Sequence, residues 1–189
     1  FIDRNWTTEH YAEKGRRIVA RNVARVLREY YPNQYIEVSV IPQKQSYFFN
    51  DCEGKTIWSQ IHTLSSDEAF SGEKSSKCGG GVDFSLTFEY GIKNLPDSLT
   101  QLDISMQILS KVENQGANLL ISIEKTNDTI VTQTIPVSVL SSVIGSWDKI
   151  NYKFPLPVDF YHFDIIKVFI HNPTKNLLYT DDIKIDFHQ

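Results

Sequence analysis

The clearest pattern of apolar and polar positions lies near the end of the chain, in residues 164–187. Residues 164–171 are mostly apolar and rich in β-branched side chains, which favours a strand. Residues 172–176 (NPTKN) are typical of a turn, because proline cannot donate to a β-ladder. Residues 177–187 then alternate, which predicts a second, half-buried strand. Its predicted apolar face consists of Leu177, Tyr179, Ile183, Ile185 and Phe187, and its other face of Leu178, Thr180, Asp182, Lys184 and Asp186. Asp181 interrupts the apolar face with a charge, and a carboxylate there needs a partner, for which a cation is one candidate.

Strand-like segments continue back to about residue 35, with turn signals between them. We predict strands at residues 35–41, 46–50, 56–62, 74–78, 82–90, 102–111, 118–125, 129–135, 147–154, 164–171 and 177–187. Glycine, asparagine and proline clusters divide them, for example at residues 79–81 and 94–97. Short strands at this spacing are typical of an antiparallel β-sandwich. We therefore expect residues 35–189 to form one mainly β domain.

The residues before this domain follow a helical period. Apolar side chains from Tyr11 to Tyr30 recur at three- and four-residue steps, which predicts one amphipathic helix in an N-terminal segment of residues 1–34. Four arginines line another face of that helix: Arg17, Arg21, Arg25 and Arg28. Two interpretations stay open. The helix packs its apolar stripe on the body, or it lies near an anionic membrane surface.

Charge is unevenly distributed along the chain. The first 31 residues hold seven basic and four acidic residues, a net charge of +3, which leaves −7 for the remainder of a chain whose total is −4. Phosphate contacts need clusters of lysine and arginine. The acidic body therefore argues against nucleic acid as a partner.

Catalytic motifs are missing from the sequence. It contains no GxSxG, HExxH, P-loop or GxGxxG pattern. Asp181 and Asp182 are neighbours on a predicted strand, so they point to opposite faces and cannot flank one glycosidic bond. The five histidines are scattered without ligand spacing. We therefore expect a domain that is not an enzyme.

The two cysteines, Cys52 and Cys78, fit neither a metal-binding spacing nor a CxxC motif. Both lie in strand-like surroundings. They either form a disulfide, if their strands are neighbours in an oxidising compartment, or act as two buried thiols.

Several short motifs occur in an order that resembles a known family. They are residues 51–54 (DCEG), Trp58, residues 68–78 (EAFSGEKSSKC), residues 146–150 (SWDKI) and residues 178–183 (LYTDDI). This order resembles the jelly-roll carbohydrate-binding modules of the galactose-binding-like fold, over roughly residues 50–187 and not the helix. The resemblance implies a jelly-roll β-sandwich. Cys52 stands where the family usually has Phe and Cys78 where it has a small apolar residue, which suggests a cysteine pair inside the sandwich.

The resemblance also implies a structural calcium that bridges the first and last strands. Its ligands would come from Glu53, from the backbone at Gly72 or Lys74, and from Asp181 or Asp182. Calcium takes six to eight hard oxygen ligands and accepts backbone carbonyls. The alternative is that the two aspartates are solvated charges at a strand end, or pair with Lys77 or Lys184.

Sugar binding in such modules uses aromatic rings on an exposed face, beside side chains that hydrogen-bond the hydroxyls. The candidate ligand-binding residues are Trp58, Tyr90, Tyr152, Tyr161 and His171, with Phe160 beside them. We expect Trp147 in the core.

The leading hypothesis is a non-catalytic carbohydrate-binding-like module of a bacterial cell-envelope or secreted protein, with a glycan as partner and an extracytoplasmic location. The alternative is a structural or protein-interaction ectodomain, the exported C-terminal part of a membrane protein with the basic helix as its juxtamembrane element. Because the chain begins with Phe1 rather than methionine, we expect a fragment or a processed form of a longer protein.

Overall fold

The computed structural model describes residues 44–54, 56–113, 116–126 and 130–189, together with Val23. The chain divides into two compact units, residues 1–43 and 44–189. The predicted N-terminal helix, its boundary near residue 34 and the predicted strand at 35–41 lie outside the described residues. Within the described part of the chain, no helix is long and apolar enough to cross a membrane.

Within the described residues of the second unit, ten strands form two antiparallel sheets. The six-stranded sheet contains β1 (Tyr47–Asn50), β2 (Leu64–Ser65), β3 (Ser75–Cys78), β5 (Gln101–Ser110), β8 (Trp147–Pro155) and β10 (Leu178–His188). Its order is β2-β3-β10-β5-β8, and β1 pairs with the second half of β10. The four-stranded sheet, in the order β4-β9-β6-β7, contains β4 (Phe88–Gly91), β6 (Asn118–Glu124), β7 (Ile130–Pro136) and β9 (Ile165–His171). The connections include an α-helix at Val137–Leu140 and 3-10 helices at Ile61–Thr63, Ile92–Asn94 and Phe160–His162.

The two sheets pack face to face around one apolar core. Phe48 of the six-stranded sheet and Phe88 of the four-stranded sheet have ring centroids 4.9 Å apart. Alternation places the buried positions of β5 and β9 on the inner faces, as a half-buried strand requires. The predicted antiparallel β-sandwich is therefore confirmed for the body of the chain.

The predicted strand positions are mostly confirmed. Eight of the predicted strands within residues 46–187 agree with observed strands to within one residue at each end. The strand predicted at 56–62 is wrong: Ser59 makes one isolated bridge to Thr87, and Gln60 then adopts a left-handed φ of 63° before a 3-10 helix. The strand predicted at 82–90 is reduced to β4, preceded by isolated bridges.

The alternation predicted for the last strand is correct only in its second half. A β-bulge lies between Asp181 and Lys184, where Asp182 has a φ of 47°. The extra residue shifts the register, as bulges do. Beyond the bulge, Ile183 follows the predicted inner face. Before it, Thr180 pairs with Ile108 and faces the core, which places Asp181 on the outer face of the sheet.

Candidate functional site

Glu53 holds the turn that precedes β3. Its Oε1 atom accepts hydrogen bonds from the backbone N–H of Glu73 (2.7 Å) and of Lys74 (2.6 Å). Gly72 adopts a φ of +62°, and a Cβ atom there would lie 2.5 Å from Glu53 Oε1. Glycine is therefore required at residue 72 both by its backbone conformation and by the close approach of the carboxylate.

Asp181 holds the same turn from the last strand. Its side chain is fully buried, and Oδ2 accepts hydrogen bonds from the N–H of Phe70 (2.9 Å) and Ser71 (3.1 Å). The other oxygen, Oδ1, accepts from the N–H of Asp182 at 2.8 Å. The Asp182 carboxylate in turn accepts from the Ser71 hydroxyl at 3.0 Å. We call Glu53, Asp181 and Asp182, bound to residues 70–74, the carboxylate clamp.

Burial and hydrogen bonding act in opposite directions on Asp181. Loss of hydration raises the pKa of this carboxyl group, while the N–H donors of Ser71, Asp182 and Phe70 lower it, and burial has the larger effect. The partner that the sequence requires for this buried carboxylate is therefore backbone N–H rather than a side-chain cation.

The residues of the predicted calcium site are close to one another, and the hydrogen bonds that the structure shows at their carboxylates come largely from backbone N–H groups. Lys74 presents its N–H rather than its carbonyl to Glu53, and both Glu53 and Asp181 already accept two or more hydrogen bonds. Among the described residues, no group of three or more His, Cys, Asp or Glu side chains could hold a metal. Calcium therefore stays a prediction from the resemblance, to which this geometry adds no support.

Both cysteines are buried free thiols. Cys52 points its Sγ toward the carbonyl oxygen of Thr180 at 3.7 Å. Burial raises the pKa of each thiol to about 12, so neither is ionised near neutral pH. Of the two alternatives, the structure shows the buried thiols and not the disulfide.

The aromatic residues predicted to bind a ligand are dispersed over the domain. Trp58 is buried against Phe88, with ring centroids 5.3 Å apart. Tyr90 and Tyr152 are partly buried and pack against the core. Phe160 is fully buried.

The other two candidates are more accessible. Tyr161 is 40% exposed, but its hydroxyl accepts from the N–H of Leu99 (2.6 Å) and donates to the carbonyl of Pro96 (2.9 Å), so it also fastens two chain segments. His171 lies on the outer face of the four-stranded sheet. Trp147, expected in the core, instead lies partly exposed and packs on Phe70 at 5.9 Å.

An aromatic cluster surrounds His171. Its ring stacks on that of Phe84 at 5.2 Å with an interplanar angle of 26°, and Phe169 meets Phe84 edge-on at 5.6 Å. Phe169 and His171 are two residues apart on β9 and therefore share its outer face. Phe84 is 42% exposed. We call Phe84, Phe169 and His171 the aromatic platform.

Backbone hydrogen bonds fix the position of Phe84 beside β9. The N–H of Ser85 donates to the carbonyl of Ile170 at 3.0 Å, and the N–H of Asn172 donates to that of Asp83 at 2.7 Å. The Ser85 hydroxyl, which is buried, accepts from the N–H of Ile170 at 2.9 Å. The platform is therefore supported by a rigid backbone rather than by a side chain alone.

Polar side chains continue from the platform across the sheet. Asn118 of β6 pairs with His171, and Leu120 pairs with Phe169 and, on its other side, with Thr134 of β7. Farther along the same face, Lys167 contacts Glu124 at 2.7 Å; further hydroxyl groups there belong to Ser122 and Thr132. The face therefore combines exposed ring surface with donors and acceptors of hydrogen bonds.

Sequence reasoning found only His171 of the platform. The alternation of β9 could have indicated Phe169, because it shares the face of His171. No local signal marks Phe84, whose position depends on an isolated bridge to a residue 87 positions later in the chain.

Comparisons with known proteins show which solved structures have a similar fold. No protein-family model and no curated protein matches the sequence. Among solved structures, the tandem CBM22-1–CBM22-2 domain of Paenibacillus barcinonensis Xyn10C is 15% identical with a TM-score of 0.55, covering 76% of this chain and 51% of that one, so this chain spans about half of it. The C-terminal family 22 carbohydrate-binding module of Clostridium thermocellum Xyn10B is 13% identical with a TM-score of 0.52, covering 76% and 94%. The xylan-binding domain from CBM 22 is 13% identical with a TM-score of 0.51, covering 77% and 96%.

At these identities the comparisons bear on the fold alone. They confirm the resemblance proposed from the ordered motifs, since the matched domains are carbohydrate-binding modules and the described body has two antiparallel sheets packed face to face. The chain therefore has an antiparallel β-sandwich fold similar to that of these carbohydrate-binding modules.

Proposed function

We propose that the β-sandwich is a non-catalytic glycan-binding module that contacts sugar rings through the aromatic platform. The observation that carries the proposal is the stacked pair of Phe84 and His171, with Phe169 against it, on an open sheet face. The CH groups of a sugar ring pack on aromatic faces, while hydroxyls need hydrogen-bonding partners nearby. Asn118 and Thr134 are placed to supply them.

Xylan is the first ligand to try, because two similar structures are described as xylan-binding. A site made of three rings and a few polar groups contacts little of a polysaccharide, whose hydroxyls give up good hydrogen bonds with water on binding. We therefore expect weak affinity for a single site. Fold alone does not assign the ligand, so the proposal rests on the exposed ring of Phe84 and the partly exposed rings of Phe169 and His171 beside it.

Affinity electrophoresis in gels that contain plant, host or bacterial polysaccharides tests this function. Retardation by at least one polysaccharide is expected, and Phe84→Ala or Phe169→Ala should weaken it about tenfold, since a lost aromatic contact of about 1.4 kcal/mol changes affinity by that factor. Phe70→Ala is the matched control, because Phe70 is 46% exposed and lies between β2 and β3, where it packs on Trp147 of the six-stranded sheet. Retardation that survives both platform substitutions would place the site elsewhere.

The cellular context is also a proposal. The resemblance favours a bacterial cell-envelope or secreted protein, and the basic N-terminal segment favours contact with an anionic membrane surface or with a parent membrane protein. Co-sedimentation of the full chain with anionic vesicles tests the membrane contact, and an absence of binding at low salt would remove it. If no polysaccharide retards the domain, the interaction ectodomain becomes the better hypothesis.

A further inference from the structure

The outer face of the six-stranded sheet also exposes aromatic rings. Tyr47 and Phe49 alternate on β1 and are 47% and 46% exposed, while Phe48 and Asn50 between and after them are buried. Their side chains therefore share the outer face, on the opposite side of the sandwich from the aromatic platform. Because these two rings lie side by side on a solvated face, they do not serve the packing of the core.

The strand pairing extends each ring into a row of polar side chains. Tyr47 pairs with Asp186, which pairs with Asp103, which pairs with Lys153. Neighbouring strands are about 4.8 Å apart, so the row crosses roughly 14 Å of sheet.

Phe49 begins a second, parallel row. It pairs with Lys184, which pairs with Ser105, which pairs with Asn151. The rows are two residues apart along the strands, about 7 Å. We call these two rows the back face. Its dimensions suit a short stretch of polysaccharide lying across the strands.

The charges of the back face are balanced. The Nζ atom of Lys153 lies 3.6 Å from Asp103 Oδ2. The Nε2 atom of His188 lies 3.6 Å from Asp103 Oδ2 and 3.7 Å from Asp186 Oδ2. The ammonium group of Lys184 lies 5.5 Å from the ring centroid of Phe49. With two lysines and two aspartates in the rows, the surface offers no net attraction for a polyanion, which argues against nucleic acid or an anionic membrane here.

We infer that the back face is a second glycan-binding surface, for an uncharged and hydroxyl-rich polysaccharide. The inference rests on the proposed function of the aromatic platform and extends it. The rings of Tyr47 and Phe49 contact sugar CH groups, and Ser105, Asn151 and Asp103 hydrogen-bond hydroxyls.

Two sites on opposite faces have a mechanical consequence. The sheets of a sandwich are about 10 Å apart, and the core between them is packed, so one rigid sugar chain cannot follow both faces. The domain would bridge two chains of a polysaccharide. Binding at two places on an insoluble glycan would raise its retention well above that of either face alone.

The test uses the full chain as the protein and xylohexaose as the probe. Signals are followed from residues 44–189, which form the second unit. Backbone amide NMR shifts are followed at residues 47–49 and 184–186 for the back face, and at residues 84 and 169–171 for the platform. Calorimetry should give two sites per chain, one site for the double variant Tyr47→Ala/Phe49→Ala, and one for Phe84→Ala/Phe169→Ala. Either double variant should lower retention on insoluble xylan by on the order of tenfold or more, while Phe70→Ala should not.

Each outcome decides between the surfaces. Shifts at residues 47–49 that disappear in Tyr47→Ala/Phe49→Ala, with an unchanged melting transition, support the back face. Shifts confined to the platform with one site per chain overturn the back face and leave the proposed function intact. An absence of shifts at both surfaces overturns the back face and excludes xylohexaose as a ligand of the platform, whose function is then decided by the panel of polysaccharides. Concentration-dependent self-association that Tyr47→Ala/Phe49→Ala removes, without shifts on adding xylohexaose, overturns the back face in favour of a contact between copies of the chain.

Discussion

Replacing the acids of the carboxylate clamp by their amides should separate two positions that look equivalent in the sequence. Glu53 binds both of its backbone donors through the single atom Oε1, so the carbonyl oxygen of Gln in Glu53→Gln can keep both bonds. Asp181 uses both oxygens, one for Phe70 and Ser71 and the other for Asp182. In Asp181→Asn one of these oxygens becomes an NH₂ group that faces an N–H donor.

The magnitudes follow from the hydrogen bonds that are lost. A hydrogen bond to a charged group contributes about 1.5–3 kcal/mol, and a neutral one about 1 kcal/mol. Glu53→Gln loses only the charge, so we expect a decrease of about 1 kcal/mol in the free energy of unfolding. Asp181→Asn loses one or two hydrogen bonds, and its new NH₂ group faces a buried N–H donor. Removing a poorly hydrated charge offsets part of this loss in stability. We expect a net loss of about 2–3 kcal/mol, or roughly 5–10 °C in Tm.

Urea denaturation of both variants, with and without EDTA, measures these differences. The urea midpoint measured with EDTA should fall more in Asp181→Asn than in Glu53→Gln. If Glu53→Gln is as destabilising as Asp181→Asn, the single-oxygen geometry of Glu53 is refuted. If both losses appear only when calcium is present in the wild-type sample, the two acids act as metal ligands.

Three further outcomes are expected. If the structural calcium predicted from the resemblance binds, millimolar calcium should raise the melting temperature and a chelator should lower it; an unchanged melting temperature would remove the metal and leave the hydrogen bonds as the partners of the clamp carboxylates. Gly79→Ala should lower the free energy of unfolding by more than about 2 kcal/mol, because φ is +95° and the new Cβ would lie 2.1 Å from the Asn176 carbonyl oxygen. Gly81→Ala is the control: φ is +108° but no atom lies within 4 Å of the new Cβ, so the loss in the same denaturation series should be smaller. Thr180→Val should stabilise by about 1 kcal/mol, since Thr180 Oγ1 is buried without a hydrogen-bond partner; a lower Tm would contradict this and indicate a buried water.

The strands could be predicted where one face of a sheet is simply inside and the other outside. In β5, apolar and polar side chains alternate from Gln101 to Ile108, because one face of the strand lies in the core and the other faces outward. In β10 the alternation is interrupted because Asp182 adopts a left-handed backbone conformation. Glycine or asparagine is the usual residue in that conformation, so the sequence gives no sign of the bulge. The Ser71 hydroxyl and the N–H groups bound by Asp181 stabilise that bulge, and these contacts come from residues about 110 positions earlier.

The candidate binding surfaces were harder to predict for a related reason. In the sequence, an aromatic residue such as Trp58 is equally compatible with a sugar-binding surface and with the core. Its contact with Phe88 in the structure shows that it belongs to the core. Phe84 lies in a stretch that alternates weakly, and its exposure follows from long-range bonds to β9. The clamp residues, in contrast, were brought together by the ordered motifs, although the ligand expected between them was a metal and the structure shows backbone N–H groups.

The positions of the clamp and the platform imply that a substitution in one should leave the other intact. Asp181 and Glu53 fasten residues 70–74 to the outer side of the six-stranded sheet. The platform lies on the outer side of the four-stranded sheet, and the packed core separates them. Sites that share no partner usually contribute additively to the free energy of unfolding. A clamp substitution that lowers the melting temperature should therefore leave the rings of Phe84 and Phe169 in place, so a loss of glycan binding in a platform variant that melts normally reports on contact with the sugar and not on folding.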